Sequence, residues 1–253
     1  MGIRLRIVRS LKMRMRMLLF FGGFLKKYLS YFSKGEWALW CGSAALILLS
    51  HCLFGQGDIL TLIASLIGVT SLLFSAKGNP LGQLLMVFFS LMYGVISYRR
   101  AYYGEMITYL GMTMPMAVFA LISWLRHPFQ GNRAEVAVNR IRRGEWLLLV
   151  PLTAAVTAAF YFILAWCGTA QLPLSTLSVT TSFLAVYLTF RRSPWYALAY
   201  AANDVVLIGL WALAAVQQQE FVSVVVCFAA FLAGDLYGLV CWRRMARRQA
   251  QLR

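Results

Sequence analysis

Long apolar stretches alternate with short polar loops along this chain. A helix that crosses a membrane needs about 20 mostly apolar residues, and eight stretches approach or reach that length. The strict alternation of polar and apolar residues that marks a barrel strand is missing. The pattern therefore predicts an all-α membrane protein with eight transmembrane helices. The predicted spans are 37–54, 58–76, 80–98, 105–125, 145–167, 173–190, 195–216 and 220–241.

Positive charge is concentrated in alternate loops. All but two of the 24 Lys and Arg residues lie in the N-terminal arm, in every second loop or in the C-terminal tail. The two exceptions are Arg99 and Arg100. Because cytoplasmic loops are enriched in Lys and Arg, we expect both termini on the cytoplasmic side of the inner membrane. The net charge of +16 is then a topology signal, and no nucleic-acid partner is expected.

The composition excludes several classes of protein. The chain is 61% hydrophobic and only 13% charged, which leaves no room for a separate soluble domain. It carries no GxSxG, Walker or HExxH motif, and its cysteines form no CxxC pair. We therefore expect no enzyme activity, no cofactor and no metal site.

Two halves of the chain repeat the same order of motifs at a spacing of about 110–115 residues. Val69-Thr70-Ser71 and Val179-Thr180-Thr181-Ser182 each precede a basic turn that ends in proline. Four crossings separate corresponding spans, so the repeats are parallel, which predicts a SWEET-like 3+1+3 plan of three-helix bundles. The alternative is eight spans without a repeat.

This plan divides the chain into seven segments. The first two segments are a basic cytoplasmic arm with an interfacial amphipathic helix, and an extra transmembrane helix. A basic cytoplasmic loop lies at the centre of the chain. The others are two repeats, a linker helix and a basic tail. In chain order the segments are 1–34 (arm), 35–54 (extra helix), 58–125 (first repeat), 126–144 (loop), 145–167 (linker), 173–241 (second repeat) and 242–253 (tail).

A series of short motifs resembles the PnuC family of nicotinamide riboside transporters. The motifs are Ala76-Lys77-Gly78, Tyr93, Tyr103-Gly104-Glu105-Met106, Pro115-Met116, the segment 185–192 and Gly238 with Trp242-Arg243-Arg244. The resemblance covers the second to the eighth span. It implies a carrier that imports nicotinamide riboside by facilitated diffusion, and a homo-oligomer, with a trimer as the expected form. Thiamine and riboflavin are alternative substrates.

The resemblance also identifies where this chain departs from the family. The family's substrate motif in the seventh span, Trp-x-x-Trp-x-x-x-Asn, falls on Ala197, Tyr200 and Asp204. An aromatic and a polar group are retained, and Trp195 is predicted to replace the first Trp from two residues away. The scaffold is thus expected to be the family's, with an altered binding site.

Asp204 is the strongest candidate for a binding residue. A carboxylate near the middle of a span costs roughly 2.5–3.5 kcal/mol on insertion scales unless it is paired, protonated or solvated. Tyr200 lies one helical turn before it, on the same face. A ring can stack on a flat base while the carboxylate binds a ribose hydroxyl or a cationic base. The alternatives are a helix–helix hydrogen bond and proton coupling through Asp204.

The other predicted site residues are polar or aromatic groups inside spans. They are Asn203, Gln83, Ser90, Tyr93 and Asp235. Gln83, Ser90 and Tyr93 share one face of the third span, which suggests a pore lining. The competing class is a non-transporting scaffold or sensor, in which Tyr200 and Asp204 lie in a dry helix interface.

Overall fold

The computed structural model describes residues 31–54, 58–99, 102–169 and 171–252. The predicted interfacial helix of the N-terminal arm lies outside these residues. Eight helices of the described residues are long and apolar enough to cross a membrane. They are α1 (Lys34–Phe54), α2 (Ile59–Ala76), α3 (Leu81–Arg99), α4 (Tyr103–Arg126), α5 (Arg143–Trp166), α6 (Leu172–Phe190), α7 (Tyr196–Gln217) and α8 (Val222–Gln251).

The eight predicted spans are thus confirmed as helices. Large apolar side chains point outward along them, among them Leu147 at 79% exposed and Val216 at 85%. Because such surfaces are unfavourable in water and suited to lipid, the chain is a multi-pass membrane protein. The main difference from prediction is α8, which continues to Gln251 instead of ending near residue 241.

The chain separates into two compact units, residues 1–41 and 42–253. In the first, Ser33 and Glu36 cap the start of α1. The Ser33 N–H donates to Glu36 Oε2 at 2.6 Å, and the Glu36 N–H donates to Ser33 Oγ at 3.2 Å. This reciprocal pair is a capping box, and it explains why the helix begins at Lys34.

In the second unit, six helices pack in a closed order. α2 contacts α3, α3 contacts α4, and α4 contacts α6; α6 then contacts α7, α7 contacts α8, and α8 returns to α2. The linker helix α5 packs against α6. These six helices (α2–α4 and α6–α8) are called the ring below, and their inward faces form the core.

Ends of the ring helices are tied together at one face of this unit, which we call the basic face (Lys77, Arg126, Arg191, Arg192 and Arg243). The loop between α4 and α5 contains a hairpin of β1 (Pro128–Phe129) and β2 (Asn132–Val136). Its Val136 N–H donates to Gly78 O at 2.9 Å, and the Asn139 N–H donates to Arg192 O at 3.0 Å. The loop therefore bridges the turns after α2 and after α6.

The extension of α8 completes this face. Gln249 is 2% exposed, and its side-chain oxygen accepts from the Val138 N–H at 2.8 Å. Its amide nitrogen donates to Glu135 Oε1 at 2.8 Å and to Val136 O at 3.0 Å. The end of the chain is thus a packed helix that fixes the central loop.

Candidate functional site

Asp204 of α7 and Asp235 of α8 lie side by side inside the ring. Each residue is 3% exposed, and their carboxyl groups lie close enough to interact. Asp204 Oδ2 has no hydrogen-bond partner among the described residues. The two acids that the sequence identified separately therefore form one buried group, which we call the acid pair.

The acid pair has no basic side chain beside it within the helices of the ring. α2, α6 and α7 contain no Lys, Arg or His, and those of α3, α4 and α8 lie at the ends of these helices. The two acids therefore lie together without a cationic side chain of the ring helices to pair with.

Aromatic rings close the pair off toward the basic face. Trp124, Tyr196 and Trp242 form this inner aromatic cluster, with ring centroids 5.4 Å apart for the two tryptophans and 4.9 Å for Tyr196 and Trp242. Both tryptophans are 0% exposed. Tyr200 lies next, 6.1 Å from Tyr196. Tyr196, Tyr200 and Asp204 follow at one-turn intervals on a single face of α7, so the cluster leads directly to the pair.

A second group of rings lies on the other side of the pair. This central aromatic cluster comprises Phe89, Tyr93, Tyr109, Phe228 and Phe231, with centroid separations from 4.5 to 6.5 Å. Tyr109 lies within electrostatic range of Asp204. The acid pair is therefore enclosed between two aromatic groups, and Tyr93 joins the site as part of the second.

Tyr109 reaches this position from an irregular turn of α4. Residues Tyr109–Thr113 form a π-helix inside the longer helix. Pro115 has no N–H to donate to the carbonyl of Gly111, which favours a local change of helix type. π-turns are frequent at functional sites because they redirect a side chain without ending the helix.

Four of the predicted site residues do not join the acid pair. Asn203 Oδ1 accepts from Thr181 Oγ1 at 2.9 Å and from Ser182 Oγ at 3.0 Å, so it ties α7 to α6. Gln83 donates to Ser75 Oγ at 3.2 Å. Ser90 donates to the carbonyl of Met86, within its own helix, at 2.8 Å. The binding roles of these three residues stay predictions. In the structure, each side chain has a hydrogen-bond partner within the helices.

Trp195 is the fourth predicted site residue that does not join the acid pair. It is 48% exposed at the basic face, and the guanidinium of Arg243 lies 5.2 Å from its ring centroid. It borders a cavity of about 350 Å³ that Arg140 and Arg247 also line. Trp195 is thus placed at the rim of the protein, apart from the aromatic clusters.

Another cavity opens at the opposite face. It measures about 230 Å³ and is lined by Glu105, Thr169, Trp211 and Gln217 among others. The acid pair lines neither this cavity nor the one at the basic face. The site is therefore closed in this conformation, with a recess at each end of the ring.

The basic face also carries an ion pair that the sequence analysis missed. Arg191 donates to both carboxylate oxygens of Glu145, with a distance of 2.8 Å from Nη2 to Oε2. This hydrogen bonding raises the pKa of Arg191, whereas burial lowers the pKa of its neighbour Arg192. The pair joins the start of α5 to the end of α6, so Glu145 has a structural role.

Sequence reasoning also missed the inner aromatic cluster. Trp124 and Trp242 occupy similar places near the ends of the fourth and eighth helices, and that recurrence was an available signal. No group of three or more His, Cys, Asp or Glu side chains among the described residues is arranged to hold a metal ion. The arrangement is suited to a flat, polar organic molecule.

Comparisons with known proteins point to one family. The model of a family described as nicotinamide mononucleotide transporter matches residues 58–244. A Neisseria mucosa protein named nicotinamide riboside transporter PnuC is 25% identical over 202 residues, 78% of this chain and 76% of the relative. A Haemophilus influenzae protein of the same name is 22% identical over 190 residues, 75% of this chain and 81% of the relative.

A solved structure shares the fold. The crystal structure of the vitamin B3 transporter PnuC matches with a TM-score of 0.74 and 22% sequence identity. The match covers 86% of this chain and 94% of that chain. The similarity therefore extends over most of the length of both proteins.

Proposed function

The chain belongs to the nicotinamide mononucleotide transporter family, and from this premise we propose that it imports nicotinamide riboside or a closely related vitamin. The PnuC resemblance found in the sequence is confirmed by the family match and the two relatives. The family consists of transporters, so the protein is a membrane transporter and not an enzyme.

One observation carries the choice of substrate: the enclosed group of Tyr196, Tyr200, Asp204 and Asp235. Nicotinamide riboside combines a flat pyridinium cation with a ribose that bears hydroxyl groups. A tyrosine face attracts such a cation by stacking and by cation–π interaction. A buried carboxyl group with a free oxygen can accept from a ribose hydroxyl or pair with the ring charge. Sites that bind small molecules are typically apolar enclosures that contain a small number of polar groups.

The mode of transport that fits this arrangement is facilitated diffusion by alternating access. The acid pair is buried midway along the ring, and a cavity lies toward each face. Rocking of one half of the ring against the other would open the site to one cavity at a time. No nucleotide-binding motif is present in the sequence to drive an ATP-dependent cycle.

The ring is best described as two parallel three-helix repeats of the SWEET-like kind, with α5 as linker and α1 as an extra helix. In support, exchanging α2, α3 and α4 for α6, α7 and α8 reproduces the packing order of the ring. Trp124 Nε1 donates to Thr189 O at 2.9 Å, and Trp242 Nε1 donates to Ser75 O at 2.8 Å. Each tryptophan thus bonds the first helix of the other repeat. Under this pairing Asp204 corresponds to Ser90, so the acids belong to one repeat only.

Replacing Trp124 or Trp242 by Phe tests the repeat. Each substitution removes the indole N–H from a carbonyl that keeps one backbone donor, the Arg192 N–H for Thr189 O and the Gly78 N–H for Ser75 O. We therefore expect the loss of a single hydrogen bond, at a cost of about 0.5–1.5 kcal/mol. The two variants should lower the midpoint of thermal unfolding in detergent by similar amounts. Trp166→Phe is the matched control, because Trp166 is 87% exposed and should change nothing. A shift in one variant alone would contradict the equivalence of the two bonds.

The orientation proposed from the loop charges places both termini in the cytoplasm of a cell whose inner membrane holds the protein. The basic face, which carries five of the charges concerned, is then cytoplasmic and the Glu105 cavity faces outward. A topology reporter fused after Arg253 should be active in the cytoplasm. Activity on the other side of the membrane would overturn this orientation. The homo-oligomer implied by the resemblance stays a prediction.

Uptake into proteoliposomes tests the function. The purified protein should move radiolabelled nicotinamide riboside into liposomes faster than protein-free liposomes take it up, and unlabelled substrate inside should exchange with it. Thiamine and riboflavin, tested in the same way, would identify a changed specificity. If none of these compounds enters or raises the unfolding temperature, the protein is not a carrier of this class, and the scaffold hypothesis replaces it.

A further inference from the structure

The basic face has a cavity of about 350 Å³ where α5, α7, α8 and the central loop meet. Its lining includes three arginines and two tryptophans: Arg140, Arg243, Arg247, Trp146 and Trp195. We call this cavity the arginine recess. No Asp or Glu of the described residues lines it. Three positive charges therefore share one recess without a negative charge in its walls.

The acids of the neighbouring segments are paired with other residues. Glu145 at the start of α5 accepts from Arg191 through both carboxylate oxygens. Glu135 of the central loop accepts from Arg248 and from Gln249. None of the three arginines of the recess forms an ion pair within the part of the chain that the structure describes. Their positive charge is thus available to an anion from outside the chain.

Two of the arginines are held close together on α8. Arg243 and Arg247 are four residues apart, so they share one face of the helix, where like charges repel each other. The guanidinium of Arg243 also lies over the ring of Trp195, 5.2 Å from its centroid. Stacking of this kind occupies the flat face of the guanidinium and leaves the N–H donors at its edge free. An anion in the recess would relieve the repulsion and accept from these donors.

The recess lies where the basic face meets the lipid-facing surface. Trp146 and Trp195, near the starts of α5 and α7, are exposed, and tryptophan is enriched at the level of lipid headgroups. Beyond Trp146, the surface of α5 continues with the exposed apolar side chains of Leu147, Leu148 and Val150. A ligand with an anionic head and apolar chains can therefore fill the recess and cover this surface at once.

We propose that the arginine recess binds the phosphate of an anionic phospholipid headgroup. Guanidinium groups match phosphate oxygens with paired N–H donors, and basic pockets between transmembrane helices are typical headgroup sites. A membrane lipid supplies its phosphate at the depth of Trp146 and Trp195, and its acyl chains can lie along α5. A soluble phosphate compound offers the same charge but buries none of that apolar surface. The site is separate from the acid pair, and the inference holds whichever vitamin is carried.

Native mass spectrometry of the delipidated protein in an uncharged detergent tests the site. The first molecule of phosphatidylglycerol should bind about tenfold more tightly than phosphatidylcholine, whose choline cancels the phosphate charge. Arg247→Gln and Arg140→Gln should each weaken the binding of phosphatidylglycerol about five- to tenfold, because each removes a charge beside the phosphate.

Arg244→Gln is the matched control for these variants. It removes an exposed arginine of the same helix that does not line the recess, and it should bind phosphatidylglycerol as the wild type does. Because Arg140 and Arg247 are exposed too, all three variants should unfold at the wild-type temperature in lipid-free detergent. A lipid affinity that falls as much in Arg244→Gln as in Arg247→Gln would reduce the effect to general surface charge and overturn the site.

Competition with soluble phosphate compounds identifies the source of the phosphate. Glycerol 3-phosphate and nicotinamide mononucleotide carry the phosphate without acyl chains, and we expect both to leave bound phosphatidylglycerol in place even in large excess. Displacement by either compound would overturn the lipid as the occupant and assign the recess to a soluble phosphate. Equal affinity of the wild type, Arg247→Gln and Arg140→Gln for phosphatidylglycerol would overturn the recess as a phosphate site altogether.

Discussion

Asp204→Ala is expected to abolish most uptake of nicotinamide riboside while leaving the protein folded. Within the acid pair, Asp204 Oδ2 is the carboxyl oxygen that has no hydrogen-bond partner among the described residues. Loss of a charged partner should cost about 2–4 kcal/mol, which is roughly a 30- to 700-fold lower uptake rate below saturation. Removing a buried acid also removes a desolvation cost, so the unfolding temperature should stay the same or rise.

The neighbouring residue provides the contrast. Asn203→Ala removes the acceptor of two hydrogen bonds, from Thr181 and Ser182, that tie α7 to α6. We expect a lower unfolding temperature for this variant, with uptake reduced only in proportion to the folded fraction. Uptake measured with equal amounts of each variant, together with thermal unfolding in detergent, distinguishes the roles of the two residues. If Asp204→Ala instead unfolds the protein and spares uptake in what remains folded, Asp204 is a packing residue.

Gly82→Ala is expected to be strongly destabilising. A Cβ at this position would lie 2.3 Å from Ser75 Oγ, 2.6 Å from Ser75 N and 2.9 Å from Ser71 O. Two of these atoms belong to the backbone of α2, which cannot move aside as a side chain does. Ser71 Oγ also donates to Gly82 O at 2.8 Å, so the two helices are held at close approach. We expect a loss of about 1–3 kcal/mol or more in the free energy of unfolding.

Gly209→Ala is the matched control for this substitution. Gly209 lies within α7, and a Cβ there meets nothing within 4 Å. Because Ala favours a helix over Gly by about 0.5–1 kcal/mol, this variant should be neutral or slightly stabilised. The unfolding midpoints of both variants in detergent provide the comparison. Equal midpoints would mean that α2 and α3 are not in close contact at Gly82.

The helices could be predicted closely because lipid imposes a simple rule on the sequence. Apolar length and loop charge identified all eight spans. The end of α8 was missed because its last turns are basic and were assigned to a tail. Trp242, Met245 and Gln249, which are buried, recur at helical spacing. That periodicity indicates a helix packed on one face, although the partner of that face cannot be deduced from the chain.

The sequence could identify the two acids of the candidate site, but it could not show that they lie next to each other. Asp204 and Asp235 each stand out because acids inside spans are rare and costly. Their contact depends on how α7 and α8 are rotated against each other, which no local pattern specifies. Asn203 was grouped with Asp204 because the two are adjacent in sequence. One residue along an α-helix turns the side chain by about 100°, and the structure accordingly directs Asn203 toward α6.

The structure of this protein with nicotinamide riboside bound tests the central claim most directly. We predict the pyridinium ring against Tyr200 and within contact of the Asp204 and Asp235 carboxyl groups, between the inner and central aromatic clusters. Ligand bound instead in the cavity lined by Glu105 and Gln217, with the acid pair still in contact and shut off from it, would contradict the account.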